Sequence, residues 1–199
     1  MKDLDLDMTR TAVLAMDFQQ RIVSMNAMAQ ERSVVQKAKA VLDSARRAGL
    51  PVIHIVIQFR EGYPEVSSRN RMFSGVKQMG LFIIGQEETK IHKDLGPVEG
   101  DIVVGRPRVN AFYNSDLQSV LSSKEVNTLV LMGIATNWVV EGTARYAADA
   151  DYRVIVLEDC CAGISVEAHD FSITNTLSAI AEVSSSEEFL AKVVKSRRK

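Results

Sequence analysis

The sequence predicts an α/β protein with three layers, α/β/α, and a doubly wound, mostly parallel sheet. Short apolar runs alternate with segments of helical period, and this alternation implies right-handed crossovers between parallel strands. The apolar runs contain many β-branched residues and little polar alternation, which is typical of strands covered by helices on both faces. The chain has 199 residues, of which 46% are hydrophobic. This is enough for one core, so we expect a single domain over residues 1–199.

The first elements are a strand, a helix and a second strand. TAVLAMDF at 11–18 is an apolar run that ends in an acid, as expected of a buried strand whose carboxyl end reaches the surface. ERSVVQKAKAVLDSARRAGL has apolar residues at helical spacing, with Ser33 as a cap and Gly49 as a stop. PVIHIVIQF at 51–59 is again rich in β-branched residues and predicts a buried strand.

Residues 60–100 have no clear period. Glycines and prolines interrupt every pattern there, but the stretch MFSGVKQMGLFIIG is apolar enough to be buried. A segment of this kind is usually a surface excursion or the cover of a site, and we expect a less regular lid or an oligomer contact.

From Asp101 the alternation returns and continues to the end of the chain. The predicted elements are, in order, the strand DIVVG, the helix SDLQSVLSS capped by Ser115, the strand VNTLVLMGI, the helix NWVVEGTARYAADA, the strand YRVIVLED, a helical stretch at 166–181, the strand AEVSS and the helix SSEEFLAKVVKS capped by Ser185 or Ser186.

Ligands in parallel sheets bind beyond the carboxyl ends of the strands. This rule selects Asp17, the region after Val104, the turn at 133–139 and Asp159. A buried Asp17 would need a cation or hydrogen-bond donors to stay ionised, and Gln19 would lie on the same side if the strand continued. The alternative is that Asp17 only forms a turn or caps a helix.

Two arginines and one turn belong to the same predicted edge of the sheet. Arg106 and Arg108 could pair with Asp17 or bind an anionic substrate, although exposed arginines are usually only surface charge. In the 133–139 turn, Asn137 begins a helix whose free N–H groups would stabilise negative charge, unless Gly133 marks a plain turn.

The remaining reactive side chains, those of the cysteines and histidines, are expected to have structural roles. Cys160 and Cys161 follow an apolar strand without a nearby base, so we expect inert packing. His54 and His169 are expected to be core histidines. The histidines lack the short spacings of zinc ligands, and we expect neither a metal nor a cofactor.

Charge and hydropathy exclude several classes of partner. The net charge of −1 gives no field to attract nucleic acid, and no run approaches the roughly 18 apolar residues of a membrane span. The N-terminal stretch MKDLDLDMTR is acidic and lacks the apolar core of a signal peptide. We therefore expect a cytoplasmic protein whose partner is a small molecule.

Taken together, these segments resemble the isochorismatase-like hydrolases, a superfamily also called cysteine hydrolases. The matching stretches are TAVLAMDFQ, PVIHIVI, GRPRVNAFYNSDL and VNTLVLMGIATNWVVEGTARYAADADYRVIVLEDCCAG, followed by His169. They cover nearly the whole chain in the expected order, and residues 60–100 match least. The resemblance implies the isochorismatase-like hydrolase fold, a doubly wound three-layer α/β fold.

Many members of this superfamily use an aspartate, a lysine and a cysteine to hydrolyse amides or related C–N bonds. The resemblance puts the aspartate at Asp17, the lysine at Arg106 and the cysteine at Val139. A valine forms no covalent adduct, so this chain would be a non-cysteine variant in which Val139 contributes only its backbone. The resemblance also implies a cis peptide within the segment Ala135–Thr136, with backbone N–H groups there and at Val139 forming an oxyanion pocket.

Some members of the superfamily work without the cysteine. Isochorismatases have a glycine at that position and cleave a vinyl ether by proton donation from the aspartate, followed by attack of water. This route needs a raised aspartate pKa, whereas Arg106 beside Asp17 would lower the pKa. Arg106 therefore argues against a simple transfer of this mechanism, unless it turns outward to bind substrate.

The leading hypothesis is a small-molecule hydrolase that cleaves an amide C–N bond or a vinyl ether without a cysteine nucleophile. Asp17 would be the general acid or base, and Arg106 would hold Asp17 or a substrate anion. The residues expected to line the substrate pocket are Phe18, Gln19, Phe112, Tyr113, Ala135, Thr136, Asn137 and Trp138. One alternative is a catalytically inactive homologue that binds a small ligand, and another is an oligomeric scaffold built on the apolar 72–84 segment. We expect a homo-oligomer under each hypothesis.

Overall fold

A computed structural model describes residue 4 and residues 6–196, and its centre is a six-stranded sheet. The strands are β1 (Thr11–Met16), β2 (Val52–Ile57), β3 (Ile102–Arg106), β4 (Thr128–Ile134), β5 (Arg153–Ala162) and β6 (Glu182–Ser184). Their order in the sheet is β3-β2-β1-β4-β5-β6, and every neighbouring pair is parallel. The predicted doubly wound parallel sheet is confirmed.

Helices cover the sheet and connect its strands. They are α1 (Gln20–Met25), α2 (Ala27–Glu31), α3 (Val34–Arg47), α4 (Arg71–Gln78), α5 (Leu117–Ser123), α6 (Glu141–Asp149), α7 (Val166–Phe171), α8 (Ser178–Ile180) and α9 (Ser186–Ser196). A 3₁₀ turn covers Glu87–Thr89, and π-helical turns cover Thr136–Val140 and Ser172–Leu177. Helix α3 packs against α9 and β5, whereas α6 packs against the two π-helical turns and α8.

The core follows from the continuous apolar runs of the sequence. Every residue of β1, β2 and β4 is buried, as expected of central strands with helices on both faces. Burial of these side chains removes apolar surface from water at about 25 cal/mol per Å², which is the main source of stability for such a core.

The helix starts partly differ from the prediction. Ser33 precedes α3 as expected, but its backbone is left-handed, with a φ of 53°, and its side chain makes no capping hydrogen bond. Before α9, the hydroxyl of Ser185 accepts from the N–H of Glu188, as a cap does. The carboxylate of Asp159 accepts from the N–H and hydroxyl of Ser186 at 2.7 and 2.6 Å. Asp159, one of the candidates selected from the sequence, therefore fixes the start of α9.

Residues 60–100 are anchored to the end of β2 by a small apolar cluster. Phe59 lies at its centre, with ring centroids 5.4 Å from Tyr63 and 5.5 Å from Phe73. The backbone of Phe59 also pairs with the segment, since its N–H donates to Phe82 and its carbonyl accepts from Ile84. These contacts hold α4 over the carboxyl ends of the strands.

Candidate functional site

The site lies where the order of strands reverses. β1 and β4 are neighbours in the sheet, β2 and β3 follow on one side, and β5 and β6 follow on the other. Connections from such a pair of strands leave toward opposite faces and open a crevice between them, and this is where doubly wound proteins bind ligands. Asp17 follows β1 and Ala135 follows β4, so both residues reach this crevice.

Asp17 and Arg106 form a buried ion pair at the crevice. Arg106 ends β3, and its Nη2 donates to Oδ2 of Asp17 at 2.5 Å. Only 6% of Asp17 and 1% of Arg106 is exposed to solvent. The sequence placed both residues at one edge of the sheet, and the structure brings their side chains into direct contact across β2.

Each partner of this pair keeps one unused polar atom. Within the described part of the chain, Oδ1 of Asp17 and Nε of Arg106 are buried and have no hydrogen-bond partner. Burial raises the pKa of the Asp17 carboxyl above its ordinary value, and the neighbouring Arg106 guanidinium opposes this only in part. Arg106 thus lowers the pKa of Asp17 as expected, but desolvation is the larger influence and the net shift is upward.

A cavity of about 780 Å³ opens above the pair. Its wall is mostly apolar, and the segment 60–100 supplies a large share of it. The apolar side chains on this wall are Ile22, Met25, Ala27, Met28, Ile57, Met72, Phe73, Val76, Met79, Leu81, Phe82, Val109, Ile134, Ala135, Trp138, Val139, Ile164 and Val166. Volume and lining are those of a site for a small organic molecule.

Val139 occupies the cavity wall, where its side chain offers only hydrocarbon. It is 2% exposed and belongs to the π-helical turn after β4. Neither cysteine replaces the missing thiol, because Cys160 and Cys161 are fully buried in β5 and do not line the cavity. Burial raises the pKa of Cys161 to about 12 and also raises that of Cys160. Both thiols are therefore protonated and inert at neutral pH.

The turn after β4 contains a cis peptide between Ile134 and Ala135. The resemblance had implied this feature one residue later, within Ala135–Thr136. The N–H of Trp138 donates to the carbonyl of Ala135 at 3.1 Å. That N–H is therefore bonded within the turn, whereas the N–H groups expected to form the oxyanion pocket are those of Ala135–Thr136 and Val139.

Several residues predicted to line the pocket lie elsewhere. Of the eight, only Ala135 and Trp138 lie on the wall of the described cavity. Phe18 is buried in the main core, because β1 ends at Met16 and Asp17 turns the chain with a φ of 57°. The same turn directs Gln19 into the structure, where its amide bonds both backbone groups of Ile57.

The other four predicted pocket residues also have structural positions. Phe112 stacks on Tyr146 with ring centroids 4.7 Å apart, and Tyr113 is 63% exposed. The hydroxyl of Thr136 lies 2.7 Å from Nδ1 of His169, and the side chain of Asn137 accepts from the N–H of Ile164. The structure therefore does not bring these four residues, or Phe18 and Gln19, to the wall of this cavity.

Several residues that cover the cavity were not predicted individually, although the apolar stretch that contains some of them was expected to form a lid. Arg21 and Met25 come from α1, which is too short to show a period. Met72, Phe73 and Val76 come from α4, whose apolar residues at spacings of three and four gave a signal that could have been recognised. Arg108 does not reach the cavity, and its guanidinium bonds the carbonyls of Pro107 and Glu65.

Clusters of metal-ligand side chains and membrane-spanning helices are both absent from the described residues. These residues contain no group of three or more His, Cys, Asp or Glu side chains arranged to hold a metal ion. None of their helices combines the length and hydropathy needed to cross a bilayer.

Fold and site together define a doubly wound α/β protein with a small-molecule site at the carboxyl ends of its central strands. Residues 11–188 match the isochorismatase domain. The chain therefore belongs to the isochorismatase family of hydrolases, as its sequence motifs predicted.

The similarity to known proteins extends over 78–97% of the chain. Isochorismatase family protein YwoC of Bacillus subtilis is 28% identical over 193 residues, which are 97% of this chain and 99% of YwoC. Ureidoacrylate amidohydrolase RutB of Caulobacter vibrioides is 32% identical over 176 residues, 78% of each chain. The crystal structure of a cysteine hydrolase from Pseudomonas syringae has the same fold, with a TM-score of 0.89 at 22% identity over 96% of this chain and 95% of that one.

Proposed function

We propose that the protein hydrolyses a small molecule by general acid catalysis, without a covalent intermediate on the chain. The observation that carries this proposal is the buried Asp17 carboxyl on the cavity wall, one oxygen of which is bound by Arg106 while the other has no partner. Because Oδ2 accepts from Arg106, a proton on the carboxyl belongs on Oδ1. Burial favours this protonated form.

The reaction can be written with all protons accounted for. For an amide, protonated Asp17 donates its proton from Oδ1 to the leaving nitrogen while water attacks the carbonyl carbon and the C–N bond breaks. For a vinyl ether, the proton goes to the terminal vinyl carbon, water adds to the resulting oxocarbenium carbon, and the hemiketal then releases the alcohol. The attacking water then loses a proton to Oδ1, which restores the acid. Arg106 stays bonded to Oδ2 throughout, fixes the carboxyl in place and stabilises it while it is ionised.

The side chain at 139 supports a direct attack of water. A cysteine at this place would form a covalent adduct with the substrate, but Val139 has no atom that can do so. The bond cleaved is of the amide C–N or vinyl-ether type. The relative RutB, named as a ureidoacrylate amidohydrolase, supports the C–N alternative.

Asp17→Asn tests the proposal. We expect this variant to lose at least about 100-fold in kcat/KM, because general acids typically contribute a factor of this size. Purified protein is incubated with a panel of amides, ureides, esters and vinyl ethers, and products are detected by mass spectrometry. The exposed Asp94→Asn is the matched control and retains activity.

The pH profile gives the proposal a second readout. Activity needs protonated Asp17, so kcat/KM falls as pH rises through the raised pKa of this residue, which lies above 3.8. A rate that increases with pH over this range, or an Asp17→Asn variant as active as the wild type, would contradict general acid catalysis.

The competing function is binding of a small ligand without turnover. It is favoured by the hydrocarbon at 139 and predicts that ligands raise the melting temperature while no product forms. Thermal shift and product detection on the same samples separate the two functions.

We also propose that the protein works in the cytoplasm as a homo-oligomer and that residues 60–100 form a lid over the cavity. The lid is supported by the side chains that this segment contributes to the cavity wall. Multi-angle light scattering tests the assembly, and a single species at 22.0 kDa would contradict it.

A further inference from the structure

Arg21 is a cation of the cavity that the proposed reaction does not use. It lies in the first turn of α1, is half-buried and lines the same cavity as Asp17 and Arg106. Among the described residues its guanidinium has no ion-pair or hydrogen-bond partner, and its Nε is shielded from solvent.

The chain provides acceptors for its other half-buried arginines. Arg46 donates to the carboxylate of Asp101 at 2.7 Å and to the carbonyl of Leu95 at the same distance. Arg32 is bonded to the carboxylate of Glu158. The lack of any such acceptor for Arg21 is therefore unusual within this molecule.

It is unfavourable for a hydrogen-bond donor such as Nε of Arg21 to be shielded from water and to have no acceptor. A buried polar group without a partner has lost its hydrogen bonds to water and gained none in return, and the loss is greater where the group is charged. Nε of Arg106 is also buried and unpaired, and Arg106 lines the cavity too. Two guanidinium groups with unused donors thus border one cavity.

The acidic side chains of the cavity do not neutralise the positive charge of Arg21. Asp17 is already paired with Arg106. Glu31 lies at the cavity but is exposed to solvent and forms no ion pair with Arg21. The cavity wall is otherwise mostly apolar, so no carboxylate of the described residues balances the charge of Arg21.

We propose that Arg21 binds a carboxylate of the substrate, and that the substrate class is a small carboxylic acid with an apolar body. The carboxylate accepts charge-assisted hydrogen bonds from the guanidinium, while the apolar body contacts side chains such as Met25, Met72 and Phe73. This inference rests on the proposed function for its use in catalysis, but the binding itself does not depend on turnover.

The test compares carboxylates with their neutral amides. The probes are phenylacetate, 3-phenylpropionate and 4-phenylbutyrate, each paired with the amide of the same carbon skeleton, and affinities are measured by isothermal titration calorimetry. We expect at least one carboxylate to bind on the order of tenfold more tightly than its amide, because one charge-assisted hydrogen bond is worth this much. The preference weakens at high ionic strength.

Arg21→Gln removes this preference, whereas Arg21→Lys keeps the charge and retains part of it. Arg47→Gln is the matched control, since Arg47 is exposed on α3 and does not line the cavity. Circular dichroism and melting temperatures establish that the variants are folded. If Arg21→Gln does not fold, the comparison of Arg21→Lys with the wild type at low and high salt decides.

Two outcomes would overturn the inference. One is that no carboxylate binds the wild type more tightly than its amide, and the other is that the Arg21 variants keep the full preference. Failure of the proposed hydrolysis gives a different pattern, in which the carboxylates bind through Arg21 but Asp17→Asn changes no product yield.

Discussion

A network of polar side chains packs against the turn that contains Val139, on the side away from the cavity. The hydroxyl of Thr136 lies 2.7 Å from Nδ1 of His169, and Nε2 of His169 lies 2.9 Å from Oε1 of Glu158. Arg32 bonds the same carboxylate oxygen. Because the turn after β4 forms part of the cavity wall, this network fixes the shape of the site without touching a ligand.

Glu158 is the carboxylate of this network, and removing its charge tests how much the network stabilises the fold. Hydrogen bonds from His169 and Arg32 lower the pKa of Glu158 from 4.5 to about 2. A depressed carboxyl pKa contributes stability that is fully present above pH 4.5 and is lost as the pH falls through about 2. Since the side chain is 32% exposed, solvent screening reduces this contribution to about 1–2 kcal/mol.

We expect Glu158→Gln to lower the free energy of unfolding by about 1–2 kcal/mol at pH 7. The difference from the wild type shrinks as the pH falls below 4.5, because the carboxyl then becomes protonated in the unfolded wild-type chain while it stays ionised in the folded protein until about pH 2. Urea unfolding between pH 7 and pH 3 measures the difference in the free energy of unfolding and its dependence on pH. Glu87→Gln, in a surface pair with Lys90, is the control and changes stability little. A constant difference across this pH range would show that the charge of Glu158 is not involved.

At the scale of elements, the sequence predicted the parts with long, uninterrupted patterns. All six strands of the sheet were anticipated, because a buried parallel strand is a continuous apolar run. Helices α1, α2 and α4 were not, since stretches of five to eight residues give too few turns for a period to stand out. The π-helical turn at Thr136–Val140 was predicted as ordinary helix, because nothing local distinguishes the two forms.

Close contact between β1 and β4 depends on a glycine. Gly133 pairs with Met16 at the end of β4, and a Cβ at Gly133 would lie 2.5 Å from the carbonyl oxygen and 2.9 Å from the Cβ of Met16. The oxygen belongs to the backbone of a central strand and cannot move away easily. Any larger residue at 133 therefore separates the two strands that frame the site.

Two glycine-to-alanine substitutions test this point in opposite directions. We expect Gly133→Ala to destabilise the protein by about 2–3 kcal/mol, because the added methyl group overpacks the sheet. Gly75→Ala in α4 is the matched control, since its Cβ would meet nothing within 4 Å. It should stabilise the protein by about 0.5–1 kcal/mol through helix propensity. Chemical denaturation measures both, and equal effects of the two substitutions would contradict the packing argument.

For the whole molecule, the sequence predicted which edge of the sheet carries the site but not how the chain covers it. The contact between Asp17 and Arg106 follows from topology, since the carboxyl ends of parallel strands meet at one edge. The positions of Phe18 and Gln19 depend on a single left-handed residue at 17, and the cavity wall depends on the packing of Phe59 with the segment 60–100. These are long-range arrangements, which local patterns do not encode.

The whole molecule also controls access to its two thiols. Cys160 and Cys161 lie in β5 between β4 and β6, are fully buried, and have raised pKa values. A reagent reaches them only when the sheet opens, so we expect labelling with a disulfide reagent to be slower than in the unfolded chain by on the order of a thousandfold or more.

The dependence of this labelling on urea distinguishes global from local opening. If both thiols react only through global unfolding, the free energy of opening falls with urea at the same slope as the free energy of unfolding measured by circular dichroism. Val139→Cys is the control, because its thiol would lie on the cavity wall. The reagent reaches this thiol through the cavity, without opening of the sheet. Rapid labelling of Cys160 or Cys161 without urea would show that β5 opens separately. The turn that contains Val139 follows β4, which pairs with β5 up to Ile134 and Ala162. If β5 opened separately, this pair of strands would not hold the turn rigidly in place.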